Sequence, residues 1–222
     1  MGHLIEFTRP DGGPTRGYFA DAGRGQPGVI VIQEWWGLND HIRGIADRFA
    51  ASGISALAPD LYRGRLAGTA DEASHMMAGL DFPDATHQDI HGAVDHLVRH
   101  CSKVGVMGFC MGGALTIAAA VHVPRLAAAV CFYGIPPREF ADPAEIKIPF
   151  QAHFAHRDDW CTPAAVGELE ASMREAGAKP EIFRYEADHA FFNKTRPEVY
   201  DEASAQLAWT RSIAFLSKHL AD

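Results

Sequence analysis

No apolar run in this sequence approaches the roughly 20 residues that a membrane-crossing helix needs. Positive charge is also scarce. Lys and Arg number 20 against 28 Asp and Glu, a net charge of −8 at pH 7. That balance argues against nucleic acid and against an anionic membrane surface as partners. Cysteine is sparse as well. The four thiols, Cys101, Cys110, Cys131 and Cys161, show neither metal-ligand spacing nor a disulfide framework. The stretch Met1-Gly2-His3-Leu4-Ile5-Glu6 lacks the basic and apolar regions of a secretory leader. A reducing cytoplasm is therefore the expected setting. Linkers, internal repeats and low-complexity tracts are missing too, so one domain is expected over residues 1–222.

What is present is the composition of a soluble globular protein, 47% hydrophobic and 22% charged. Residues 4–7 and 15–20 read as two strands around the turn Pro10-Asp11-Gly12-Gly13. Residues 28–33 are nearly all apolar, as in a strand covered on both faces. Further strands are expected at 54–58, 104–107, 126–133, 150–154 and 181–185. Helices are expected at 40–52, 69–78, 85–100, 114–120, 162–176 and 197–219. Strands alternating with helices give an α/β fold, with a mostly parallel central sheet, helices on both faces and an antiparallel N-terminal hairpin.

The chain is organised around Gly108-Phe109-Cys110-Met111-Gly112, which lies between a buried strand and a good helix former. Strand, tight turn and helix around G-x-C-x-G is the nucleophile-elbow pattern with cysteine in the serine position. Such a turn strains the central residue and crowds its neighbours, which explains both glycines. It also sets Cys110 at a helix N-terminus, where free N–H groups favour negative charge. The alternative is a buried structural cysteine in an ordinary strand-to-helix turn.

A thiol nucleophile needs a base, and the base needs an orienting group. His156-Arg157-Asp158-Asp159-Trp160 and Glu186-Ala187-Asp188-His189-Ala190-Phe191-Phe192 each follow a predicted strand, at the sheet end where open α/β folds build sites. Nucleophile, acid, histidine is the chain order of the α/β-hydrolase triad. Asp188 is a poor candidate for the acid because it adjoins His189. The pairs His87/His91 and His96/His100 have helical i,i+4 spacing, but no further ligand completes a metal site, and a solvated helix face is the expected reading.

Four segments together resemble the dienelactone hydrolases (carboxymethylenebutenolidases) of the α/β-hydrolase superfamily. They are Gln33-Glu34-Trp35-Trp36-Gly37-Leu38-Asn39, Pro59-Asp60-Leu61-Tyr62, Gly108 to Gly113, and Asp188-His189-Ala190-Phe191. The resemblance implies an α/β-hydrolase fold and hydrolysis of small esters or lactones through a Cys-His-Asp triad, with no cofactor and no metal. It implies Cys110 as nucleophile and His189 as base. It implies Asp159 as the acid, because Asp159-Trp160-Cys161-Thr162-Pro163 matches the family's spacing to a proline. It implies that Glu34 contacts the resting thiol, and that the backbone N–H groups of Trp35 and Met111 form the oxyanion hole. Trp36, Tyr62 and Phe191 are then candidates to line an apolar acyl pocket.

One departure concerns substrate charge. Dienelactone-specific members carry an arginine on the helix after the Asp-Leu-Tyr strand, whereas residues 69–78 here contain none. Arg63 and Arg65 lie just before it, and Arg63 is the candidate replacement. Small neutral or aromatic esters and lactones are therefore expected in preference to anionic dienelactone. A monomer or small homo-oligomer is expected. The competing reading, from another class, is a ligand-binding or sensor protein on the same fold. A thiol redox protein is a third, weakened by the lack of a C-x-x-C pair.

Overall fold

The computed structural model describes residues 1–221. Eight strands form one sheet: β1 (His3–Thr8), β2 (Pro14–Ala20), β3 (Gly28–Ile32), β4 (Ser55–Pro59), β5 (Val104–Phe109), β6 (Leu126–Phe132), β7 (Phe150–Arg157) and β8 (Glu181–Asp188). Their order is β1-β2-β4-β3-β5-β6-β7-β8. β1 and β2 pair antiparallel, as do β2 and β4, and every later pairing is parallel. This is the expected α/β-hydrolase arrangement, with the N-terminal hairpin on one edge.

The helices are α1 (Asp40–Ala51), α2 (Ala70–Ala78), the short α3 (Phe82–Asp84), α4 (His91–Leu97), α5 (Met111–His122), α6 (Pro163–Glu175) and α7 (Glu202–Leu220). Alternation along the strands splits the core into two layers. Ile30, Ile32, Val104 and Val106 face α4, α5 and α6, through Leu97, Leu115 and Leu169. Val29, Val31, Met107 and Phe109 face α1 and α7, through Ile45, Phe49 and Leu216. Every residue of β3 is buried because both faces are covered.

Two helices depart from expectation. Residues 85–90 form a π-helical segment ahead of α4 rather than one continuous α-helix, and Asp89 inside it is buried. The closing helix starts at Glu202, not at 197. Asp201 caps it by accepting from the Ser204 N–H at 2.8 Å, while residues 193–200 are taken up by turns, including Arg196 N–H to the Asn193 carbonyl at 3.0 Å. Strands β7 and β8 run past their expected ends to Arg157 and Asp188, carrying the acid and histidine segments to the same rim as Cys110.

Candidate active site

Cys110 sits between β5 and α5 with φ 54° and ψ −118°, the strained backbone that the elbow pattern requires. Its N–H donates to the Phe132 carbonyl at 3.0 Å, pinning the turn to β6. A side chain at Gly108 would collide with the Gly112 carbonyl, and one at Gly112 would come within 2.5 Å of the Gln33 and Ile32 carbonyls. The elbow therefore closes only with glycine at both positions.

His189 faces Cys110 and Asp158. Its Nδ1 lies 2.7 Å from Asp158 Oδ2, an ion pair whose carboxylate is fully buried. Burial disfavours the imidazolium, but hydrogen bonds to Asp158 and to Cys110 outweigh it, and the pKa rises to about 10. Burial likewise opposes the Asp158 carboxylate, yet its pKa is lowered by His189 and by the backbone N–H groups of Cys161 and Trp160, at 2.9 and 2.8 Å. The expected acid, Asp159, is corrected by this geometry. β7 ends by turning Asp158 inward, and its neighbour points into solvent and is exposed. A family spacing rule accurate to one residue cannot tell two adjacent aspartates apart, whereas the turn can.

Glu34 is almost wholly buried at the end of β3. Among the described residues its hydrogen bonds do not go to the Cys110 thiol. The carboxylate accepts instead from the Tyr133 hydroxyl at 3.3 Å and from Asn193 Nδ2. Burial raises its pKa to about 7, against the opposing effects of Asn193, His189, Tyr133 and Arg196. Tyr133 (φ 36°) in turn sets its ring edge-on to His189 at 5.1 Å. Sequence reasoning missed Tyr133, Asn193 and Arg196. The adjacency of Asn193 to the His189 segment was the one available signal.

The backbone N–H of Met111 opens α5, where no earlier helical carbonyl can accept it, and that of Trp35 lies just beyond β3. Tyr62 is buried, and its hydroxyl meets Met111 Sδ at 3.3 Å. Burial and the neighbouring Cys110 raise its pKa. Trp35 stands edge-to-face with Trp36 at 5.5 Å and with Trp160 at 6.1 Å. Trp160 is 68% exposed, the outer edge of an aromatic wall.

Two further expectations are corrected. Phe191 is completely buried among Tyr185, Tyr133 and Phe132, with centroids at 5.0, 5.5 and 6.4 Å, so it belongs to the core and not to an acyl pocket. Arg63 is already committed. Its guanidinium donates to Asp89 at 2.9 Å and to Thr15 Oγ1 at 2.6 Å, so its charge serves a buried carboxylate. The charge that reaches Tyr62 is that of Arg65. Arg196 lies over the Trp36 ring at 5.5 Å.

The model of the dienelactone hydrolase family matches residues 16–220. The chain belongs to that family. It is a dienelactone hydrolase-like hydrolase. The chain is similar to "Protein usf" of Aquifex pyrophilus, 38% identical over 99% of this chain and 100% of the relative. It is similar to "Putative carboxymethylenebutenolidase" of Aquifex aeolicus, 32% identical over the same shares. Among solved structures it superposes on a dienelactone hydrolase-like promiscuous phosphotriesterase from metagenomic libraries. The TM-score there is 0.81 and the identity 25%, over 99% of each chain. Among the described residues of this dienelactone hydrolase family member, no helix is long and apolar enough to cross a membrane.

Proposed function

We infer that this protein hydrolyses small esters or lactones through a cysteine-based triad of Cys110, His189 and Asp158. The observation that carries the reading is His189 hydrogen-bonded to the buried Asp158 carboxylate and lying beside Cys110, which sits in a strained elbow. Having given its proton to His189, Cys110 attacks the carbonyl carbon, and charge develops on the carbonyl oxygen. The N–H groups of Met111 and Trp35 stabilise that oxyanion. The ester C–O bond then breaks, and the His189 proton passes to the leaving alkoxide. Neutral His189 next takes a proton from water as the water attacks the acyl-thioester. The C–S bond breaks, the acid leaves, and the thiolate–imidazolium pair is restored. Asp158 holds the His189 ring and supports its charge at both proton-holding stages. Glu34 acts from behind Tyr133 and Asn193 as a positioning residue.

Trp36 and Tyr62, with Trp35 and Trp160, suit a neutral or aromatic acyl group. The commitment of Arg63 to Asp89 removes the expected carboxylate receptor. The whole chain acts as one catalytic domain, needs no cofactor and works in the reducing cytoplasm, where its free thiols persist. The test is a panel of matched neutral and carboxylate-bearing esters and lactones, read as kcat/KM with burst kinetics on an aryl ester. A burst of one equivalent and a preference for neutral substrates are expected. A preference for anionic substrates overturns the specificity, and the lack of any turnover favours a binding or sensor role.

A further inference from the structure

His41, on the first turn of α1, is only 5% exposed, and neither ring nitrogen has a hydrogen-bond partner among the described residues. Burial, with the charges of Lys194 and Arg48, pushes its pKa down to about 4, so the ring is neutral at pH 7 and offers one N–H donor and one acceptor. Two buried polar atoms left unpaired cost free energy unless something in the adjoining space satisfies them.

That space is a cavity of about 50 Å³ between α1, the loop after His189 and α7. His41, Arg48, Phe192, Lys194 and Tyr200 line it. At roughly 10–15 Å³ per water it holds a few waters, or one tetrahedral oxyanion. Its charge is unbalanced. Arg48 lies over the Trp209 ring at 4.0 Å; it and Lys194 are exposed at the mouth of the cavity, and neither has a carboxylate partner among the described residues. The nearby acids are engaged elsewhere. Asp40 pairs with Arg43 at 3.6 Å, Asp47 accepts from Tyr18, Glu198 pairs with Arg196 at 2.7 Å, and Asp201 caps α7.

We propose that this cavity binds a small oxyanion of the phosphate type, with Arg48 and Lys194 supplying charge and His41 and Tyr200 supplying neutral donors. A dianion of this kind would neutralise the two cations and satisfy the imidazole N–H through charge-assisted hydrogen bonds. The site shares no residue with the catalytic cluster. It does adjoin it, because Phe192 and Lys194 flank Asn193, which holds Glu34.

The test is calorimetric titration of the wild-type protein with sodium phosphate, against sodium chloride at matched ionic strength. It is repeated after iodoacetamide has alkylated Cys110, and on Lys194→Gln and Arg48→Gln. A parallel titration with glycerol phosphate distinguishes the free ion from the phosphate end of an ester. Saturable 1:1 binding that survives alkylation is expected, weakened roughly tenfold or more in each variant. Arg48 also covers Trp209, so Lys194→Gln, at an exposed position, is the decisive variant. No heat beyond that of chloride, unchanged affinity in Lys194→Gln, or loss of binding on alkylation would each overturn the proposal and leave the cavity to water.

Discussion

Asp158 and His189 meet at 2.7 Å across the ends of β7 and β8, with the carboxylate buried and its other oxygen held by two backbone N–H groups. Both side chains directly follow strands that run three residues further than their apolar patterns imply. Those extra residues bring the pair to the elbow.

Asp158→Asn should lower kcat/KM by roughly 10³–10⁴-fold, because the His189 ring loses both its orientation and the support for its charge. Asp159→Asn should change it by about twofold at most. The pH profile gives a second readout. His189 holds its proton up to about pH 10 in the wild type, and the alkaline limb should move to lower pH in Asp158→Asn. Equal losses in the two variants would refute the assignment.

Cys110→Ala should abolish turnover while the protein remains folded. Iodoacetamide should label Cys110 in step with activity loss. The other thiols should react slowly, because burial raises the pKa of each: Cys131, beside the Gly134 carbonyl, to about 12, and Cys101 and Cys161 upward as well. Peptide mapping of the alkylated protein checks this directly.

Glu34→Gln separates stability from catalysis. The folded pKa of Glu34 is raised to about 7 from 4.5, so its favourable contribution is complete below about pH 4.5 and is lost as pH rises through 7. The variant carries no charge to bury. Its thermal stability relative to wild type should therefore improve between pH 5 and pH 8, by a few kcal/mol at most. At the same time kcat should fall, since Asn193 and Tyr133 lose a charged partner. A stability difference that does not vary with pH would show that the buried carboxyl does not titrate in this range.

Arg63→Ala should destabilise the fold by on the order of 1–2 kcal/mol, read as a lower melting temperature, because Asp89 is left buried with a weaker partner. The ratio of kcat/KM for neutral and anionic esters should stay within about twofold. A selective loss on anionic esters would return Arg63 to the substrate.

The sequence by itself determined the sheet and the elbow with Cys110 at its tip. Those features are local: an all-apolar β3, glycines at 108 and 112 where any Cβ collides with a carbonyl, and a helix former directly after Cys110. It also marked His189 and Glu34 as residues of interest, through strand ends and an out-of-place carboxylate. Tertiary structure decided what those groups touch. Choosing between Asp158 and Asp159 depends on one turn beyond β7. The engagement of Glu34 with Tyr133 and Asn193 depends on contacts 99 and 159 residues apart in the chain. Arg63 and Phe191 carried the right chemistry at the right place in the sequence, but Asp89 and a cluster of aromatic rings had already claimed them. Periodicity and motif spacing report the environment of a strand or turn. The partner of a side chain is set by packing between distant segments, where a shift of one residue reverses which group faces inward.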